Sequence, residues 1–328
     1  MKVAQTENEI LVIKERTDET LAGRKGAVVK VLGCGLCGSD IVKLKHHLVK
    51  DGTVLGHEIV AKIVEINSDT KFKKDDVIVT SHHIPCGKCE YCKNGNISMC
   101  RHFKQTNIKP GGFSEYVFVS EEHLQNVAHL KPDNLTEIEA SFYEPLGCCV
   151  RAVKRACLTE KSTALVIGLG SIGILMAQAL KAFGMNVIGC DLITSRVDLL
   201  KNLGIEAFNV NEMCESIKAD CIFMTSGSDK AIDTALKYVR DGGKILVFSS
   251  TPNNFGYPNN EIYYRELTVL GSYSPSPADL KDSLELLKSK EVKVNGLSTI
   301  YPLDKVQEAI NDTLNNKIMK AYIKIEHQ

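Results

Sequence analysis

Tryptophan is missing altogether, and aromatic residues make up 6% of the chain, so its large anchors must be Tyr and Phe. Net charge is missing too. Forty Lys and Arg cancel forty Asp and Glu, which excludes a broad electrostatic trap for nucleic acid or an anionic membrane. No apolar run approaches the roughly 18 residues that a spanning helix needs. The opening MKVAQTENEI has no apolar core of the kind a signal peptide carries. Internal repeats and low-complexity tracts are absent as well. These absences point to a cytoplasmic protein. Cysteine, in contrast, is plentiful: the chain has 12, and in a reducing compartment thiols and metal ligands are expected before disulfides.

A chain of 328 residues exceeds the size at which one core keeps growing, so two domains are expected. The first part reads as short strands. AVVKVLGCG, EIVAKIVEI and DDVIVTS are rich in Val and Ile and are bounded by Gly, Asp or Ser. The stretch 86–112, dense in Cys, Gly, Lys and Asn, reads as a loop long enough to need its own staple. From residue 137 the texture changes. EIEASFYEPLGCCVRAVKRA reads as helix, and the strands ALVIG, NVIGCD, DCIFMTS, KILVFSS and LTVLGSY then alternate with helices. That alternation predicts a parallel, doubly wound sheet. The expected fold is α/β, with a β-rich domain over 1–144, a Rossmann domain over 145–275, and a tail over 276–328 that returns to the first domain, ending in the strand AYIKI.

Three constellations carry chemistry. Cys86, Cys89, Cys92 and Cys100 are spaced C-x2-C-x2-C-x7-C within the lobe 86–100. Four thiolates on one short loop can close tetrahedrally around Zn²⁺, with an iron–sulfur cluster as the rival. A zinc site filled by four sulfurs has no open position, so its role is structural. The second is GLGSIG, Gly168 to Gly173. It follows a strand and opens a helix whose apolar residues recur at helical spacing. Gly168 suits the tight turn, Gly170 the close approach of backbone to a pyrophosphate, and Gly173 the packing of helix on sheet. Asp191, at the end of the next strand, suits a ribose diol and argues for NAD over NADP. Arg196 pulls the other way, because an Arg there can accept a 2′-phosphate.

The third constellation is scattered. Cys37 in CGSD, His57 and Glu58 in GHE, and Glu144 in EPL offer one S, one N and one or two O ligands, a set that suits catalytic zinc with an open position. Asp40 could fix the tautomer of His57. Cys34, the other half of C-x-x-C, reads as a small buried side chain, because a redox pair needs a thioredoxin-like context that these strands do not supply.

In this order, CGLCGSD, LGHE, CGKCEYCKNGNISMC, GGFSEY, EPL, GLGSIG and LGSY make the chain resemble the zinc-dependent medium-chain alcohol dehydrogenases, in the sorbitol and threonine dehydrogenase branch. The resemblance spans nearly the whole chain. It implies a GroES-like catalytic domain, a Rossmann coenzyme domain and an active-site cleft between them. It implies one catalytic zinc held by Cys37 and His57, with Glu58 and Glu144 sharing the carboxylate duty, and one structural zinc in the lobe. Glu144 stands where the alcohol branch commonly has Cys, which favours the polyol branch. Ile172, Asp191 and Arg196 match positions that contact NAD, and Ser249 and Tyr273 align near the nicotinamide.

The implied reaction is reversible oxidation of a secondary alcohol or polyol to a ketone, with hydride passing to the nicotinamide. Ser39 matches the family's proton-relay hydroxyl. The His that follows five residues after the zinc Cys in many relatives is Val42 here, leaving water, His46 or His47 to complete the relay. KLKHHLVK reads either as a solvated loop or as a rim that selects a phosphorylated polyol. The family usually forms homodimers or homotetramers. The alternative reading is a zinc-stabilised, nucleotide-binding regulatory protein without turnover, and a count of bound metal separates the two.

Overall fold

The computed structural model describes residues 1–249 and 256–327, and the chain divides into two compact units. The first comprises Met1–Glu144, Ser276–Lys288 and Val294–Gln328; the second comprises Pro145–Pro275 and Ser289–Lys293.

A seven-stranded sheet forms the first unit. Its order across the sheet is Ser298–Pro302, Lys320–Lys324, Gly26–Gly35, Glu58–Asn67, Val77–Thr80, Ala128–Leu130, with Tyr116–Ser120 also pairing to Gly26–Gly35. Gly26–Gly35 is buried along nearly its whole length, as its run of Val and Ala requires of a central strand. An N-terminal hairpin, Lys2–Glu7 with Ile10–Glu15, adds a second, two-stranded sheet. Val29, Val31, Ile59, Ile63, Phe113 and Ile323 fill the core.

Register is what builds the site in this unit. Gly35 pairs with Glu58 on one side and with Tyr322 on the other, and Ile59 pairs with Thr80. Four strands in three antiparallel pairings, with their continuations, therefore end at one place. They deliver Cys37, His57, His82 and Lys320 from four separate parts of the chain. Gly35 is required there, because a Cβ on it would lie 1.9 Å from the Glu58 carboxylate.

Six parallel strands form the sheet of the second unit. In chain order they are Thr163–Ile167, Asn186–Asp191, Glu206–Asn209, Ala219–Met224, Val239–Val247 and Thr268–Gly271, and across the sheet they lie 3-2-1-4-5-6. This is the dinucleotide-binding order. Glu206–Asn209 carries no alternating apolar pattern and escaped the sequence reading; it sits at the sheet edge, where packing asks least of a strand. Ser250, the last residue of KILVFSS, lies outside the described residues.

Two further differences have local causes. The single helix expected from residue 137 is two, Glu137–Ala140 and Tyr143–Ala156. Pro145 falls in the first turn of the second, where a proline costs no helix hydrogen bond. The loop 86–112 contains short helical turns, Glu90–Lys93, Ile97–Met99 and Arg101–Gln105. Within the expected tail 276–328, Ser289–Lys293 belongs to the second unit. The Gln178 amide holds it there, accepting from Lys293 N–H at 2.8 Å and donating to Lys293 C=O at 3.0 Å.

Candidate active site

Cys37 caps the helix Gly38–Lys45. Its Sγ accepts from the Ser39 amide at 3.4 Å and from the Ser39 hydroxyl at 3.3 Å, while its own N–H donates to Asp40 Oδ2 at 3.3 Å. Asp40 is buried on the same helix, with Oδ1 3.3 Å from His57 Nδ1. That contact commits Nδ1 and leaves Nε2 as the nitrogen that could ligate a metal, the carboxylate–histidine arrangement found behind bound metals. Burial opposes charge on both groups. The pair outweighs it, holding the Asp40 carboxyl below its usual range and the His57 imidazole well above its own.

Donor atoms of Cys37, His57 and Glu58 lie within 4.8 Å of one another, and so do those of His57, His82 and Glu144. The four expected ligands thus fall into two overlapping groups joined at His57. Glu58 is buried with its Oε1 lacking any hydrogen-bond partner among the described residues. A buried carboxylate oxygen without a partner is costly, and a cation beside it removes that cost. One sulfur, one imidazole nitrogen and one carboxylate oxygen, the last two from buried residues, fit zinc.

Sequence reasoning missed two groups at this centre. Lys320, from the strand Lys320–Lys324, places Nζ 2.6 Å from Glu58 Oε2 and donates to the Leu36 carbonyl at 3.2 Å. Burial works against its charge, but the Glu58 carboxylate outweighs that and raises the Lys320 pKa. No local pattern signals this pairing across more than 250 residues. His82 is buried with its ring centroid 4.5 Å from that of His57. Burial, then the charges of His57, His83 and Lys43, keep its imidazole well below the ordinary range. The doublet His82–His83 ahead of IPC was the available signal. Of the two relay histidines considered, His47 has Nε2 2.5 Å from Glu9 Oε1, so its ring is engaged elsewhere. Cys34 packs in the core, its Sγ 3.4 Å from the Gly35 carbonyl, and burial pushes its thiol well up.

In the lobe, the Sγ atoms of Cys86, Cys89, Cys92 and Cys100 lie within 4.8 Å of one another. Cys89 and Cys92 are 3.6 Å apart, and Cys86 and Cys92 are 4.0 Å apart. These bracket the edge of about 3.8 Å expected for four sulfurs at zinc–sulfur bonds of about 2.3 Å. Backbone N–H groups of Lys88 and Cys89 lower the Cys86 thiol pKa, favouring the thiolate that binds metal.

The second unit presents its glycine motif where a dinucleotide requires it. Gly168 turns the chain at φ +92°, and a Cβ on Gly173 would lie 1.9 Å from the Gly168 carbonyl oxygen. Gly170 begins the helix Ser171–Ala182, with open space where its Cβ would stand. That gap at a helix N-terminus fits a pyrophosphate. Thr225, not singled out from the sequence, donates to the Gly168 carbonyl at 2.6 Å and steadies the turn. Asp191 accepts from the N–H groups of Leu169 at 2.6 Å and Ile193 at 2.9 Å, with Arg196 Nη1 at 3.6 Å. Ile167, Cys190, Met224, Val247 and Gly271 are in register across the sheet. Gly168, Asp191, Ser249 and Tyr273 therefore all follow the C-terminal edge, where such sheets bind ligands. Ile172 lies in the first turn of the Ser171–Ala182 helix, half-buried, and Tyr273 is exposed.

A sheet-built donor centre in one unit and a Rossmann motif in the other are the parts that a metal-dependent nicotinamide dehydrogenase needs. Residues 23–130 match the alcohol dehydrogenase GroES-like domain, and residues 171–289 match the zinc-binding dehydrogenase domain. The D-arabitol-phosphate dehydrogenase of Enterococcus avium is 30% identical over 95% of this chain and 92% of its own. The sorbitol dehydrogenase of Halalkalibacterium halodurans is 31% identical over 91% of this chain and 92% of its own. A solved oxidoreductase of unknown specificity from Escherichia coli superimposes with a TM-score of 0.88 at 25% identity, covering 100% of both chains. The chain belongs to the zinc-binding medium-chain alcohol dehydrogenases, in their polyol dehydrogenase branch, and is an oxidoreductase. Among the described residues no helix is long and apolar enough to cross a membrane.

Proposed function

We propose that this protein oxidises a secondary hydroxyl of a polyol to a ketone, with NAD as the hydride acceptor, using one catalytic and one structural zinc. The overall change is R₂CHOH + NAD⁺ → R₂C=O + NADH + H⁺. The observation that carries the reading is the donor set of half-buried Cys37 with buried His57 and Glu58, with His57 pinned by Asp40. The relatives named for sorbitol and arabitol phosphate support the polyol class.

When bound, zinc supplies Lewis acidity toward the alcohol oxygen and the nicotinamide supplies the hydride acceptor. The protein's own residues do the rest. Cys37 and His57 hold the metal, with Glu58 and Glu144 sharing the carboxylate position. Asp40 fixes the His57 ring, and Lys320 balances the Glu58 charge, so the pocket need not carry an unpaired anion. The Ser39 hydroxyl, exposed beside Cys37 Sγ, passes the alcohol proton to water, since Val42 offers no imidazole. Cys86, Cys89, Cys92 and Cys100 hold the structural ion. In the second unit Gly168, Gly170 and Gly173 cradle the pyrophosphate, Asp191 takes the ribose hydroxyls, and Ile172, Arg196, Ser249 and Tyr273 line the remainder of the coenzyme site.

NAD is preferred to NADP because Asp191 ends its strand as a carboxylate already engaged by Arg196. That pairing lessens the appeal of Arg196 to a 2′-phosphate. A homodimer or homotetramer is supported by Thr268–Gly271, which ends the parallel sheet with Val269 exposed. A cytoplasmic location is supported by the twelve cysteines, which in a reducing compartment are expected as thiols and metal ligands. The test is NADH formation by the zinc-replete protein across sorbitol-like polyols, diols, threonine and polyol phosphates. Turnover of a polyol is expected. No NADH from any of them would favour the regulatory alternative.

A further inference from the structure

His82 and His83 have rings in contact and His123 reaches the His82 carbonyl, close to the donor centre, and two of these three histidines are satisfied in the ordinary way. His83 Nδ1 is 2.5 Å from the Thr106 carbonyl. His123 places Nδ1 2.7 Å from the Ser120 hydroxyl and Nε2 3.1 Å from the His82 carbonyl. His82 is the exception. Its side chain is buried, and Nδ1 has no hydrogen-bond partner among the described residues. A buried polar atom left unpaired in a native protein calls for a ligand that the protein itself does not provide.

The placement of His82 says which ligand. Ile59 pairs with Thr80, so two residues further along the register His82 stands opposite His57. Their rings meet at 4.5 Å, and a ring nitrogen of His82 lies within 4.8 Å of the His57 and Glu144 donor atoms. Two imidazoles and one carboxylate form a recurrent metal-binding set. We propose that His82 is a protein ligand of the metal at this centre, giving it two imidazoles in addition to sulfur and oxygen. The inference rests on the metal-binding reading above. It makes the resting centre richer in nitrogen than Cys37, His57 and Glu144 alone would make it. His82 would then hold the metal alongside the residues named above, and the chemistry the metal supplies would be Lewis acidity toward the alcohol oxygen.

Cobalt(II) in the full-length, zinc-depleted protein tests this without reference to turnover, because its visible spectrum reports the donor set. Subtracting the spectrum of Cys37→Ala from that of the parent isolates this centre from the four-cysteine lobe. His82→Phe is expected to shift the isolated bands and to weaken cobalt binding there at least about tenfold in chelator competition, as loss of a group that holds a metal does. The lobe bands stay in place. His82→Asn serves as the second variant where circular dichroism shows that His82→Phe has not folded. Parent-like bands and affinity in the folded variant would overturn the assignment. So would unchanged bands with only a raised KM, which would make His82 a substrate contact. Identical cobalt uptake by the parent and Cys37→Ala is a different result, and it would overturn the underlying metal-site reading as well.

Discussion

The Lys320 ammonium stands 2.6 Å from the Glu58 carboxylate with both side chains buried. Neither charge is easily left alone in that setting. Removing one partner of a buried pair costs about 3–5 kcal/mol, whereas removing both costs far less. Lys320→Met is therefore expected to lower the unfolding free energy by about that amount, and Lys320→Met with Glu58→Gln to recover most of it. Denaturant unfolding of the zinc-replete protein measures both, and equal stability of parent and single variant would contradict the pairing.

Asp40 acts on the metal through His57. Asp40→Asn keeps an acceptor near Nδ1 but removes its charge, so zinc at the Cys37 centre should bind about 10–100-fold more weakly. Competition with a chromogenic chelator reads that change. The lobe ion, held by other residues, should resist the chelator as in the parent.

Coenzyme choice rests on Asp191. A charged hydrogen bond is worth about 1.5–3 kcal/mol, so Asp191→Asn should raise the KM for NAD roughly tenfold or more without a matching rise for NADP. Equal rises for both coenzymes would mean that Asp191 acts only by holding the Leu169 and Ile193 amides.

Lys43 and Lys45 have no ion pair among the described residues, and the Lys43 charge adds, behind burial and nearer groups, to the lowering of the His82 and His83 imidazoles. If these ammonium groups select a phosphorylated polyol, changing both to Met should raise the KM for a polyol phosphate and leave that for the free polyol unchanged. Equal effects on the two substrates would assign the stretch to an ordinary solvated surface.

The parts legible in the sequence were those written in local spacing. The four lobe cysteines lie within fifteen residues, and the glycine turn sits between a strand and its helix, so both could be read from neighbours alone. Cys37, His57 and Glu144 are far apart; their residue types suggested one zinc set, and motif resemblance supported joining them. What stayed hidden depends on register. Lys320 reaches Glu58 because Tyr322 pairs with Gly35, and His82 reaches His57 because Thr80 pairs with Ile59. No window of a few residues records such pairings. The edge strand Glu206–Asn209 was missed for the opposite reason: its sequence asks for little, and its neighbour supplies the ladder.

The count of tightly bound zinc in purified chain and variants tests the central claim most directly. Two ions per chain are expected for the parent and for Cys34→Ala, whose side chain only packs in the core. One is expected for Cys37→Ala, and one for Cys89→Ser, which opens the lobe. A single zinc in the parent, or equal loss from Cys34→Ala and Cys37→Ala, would contradict the account.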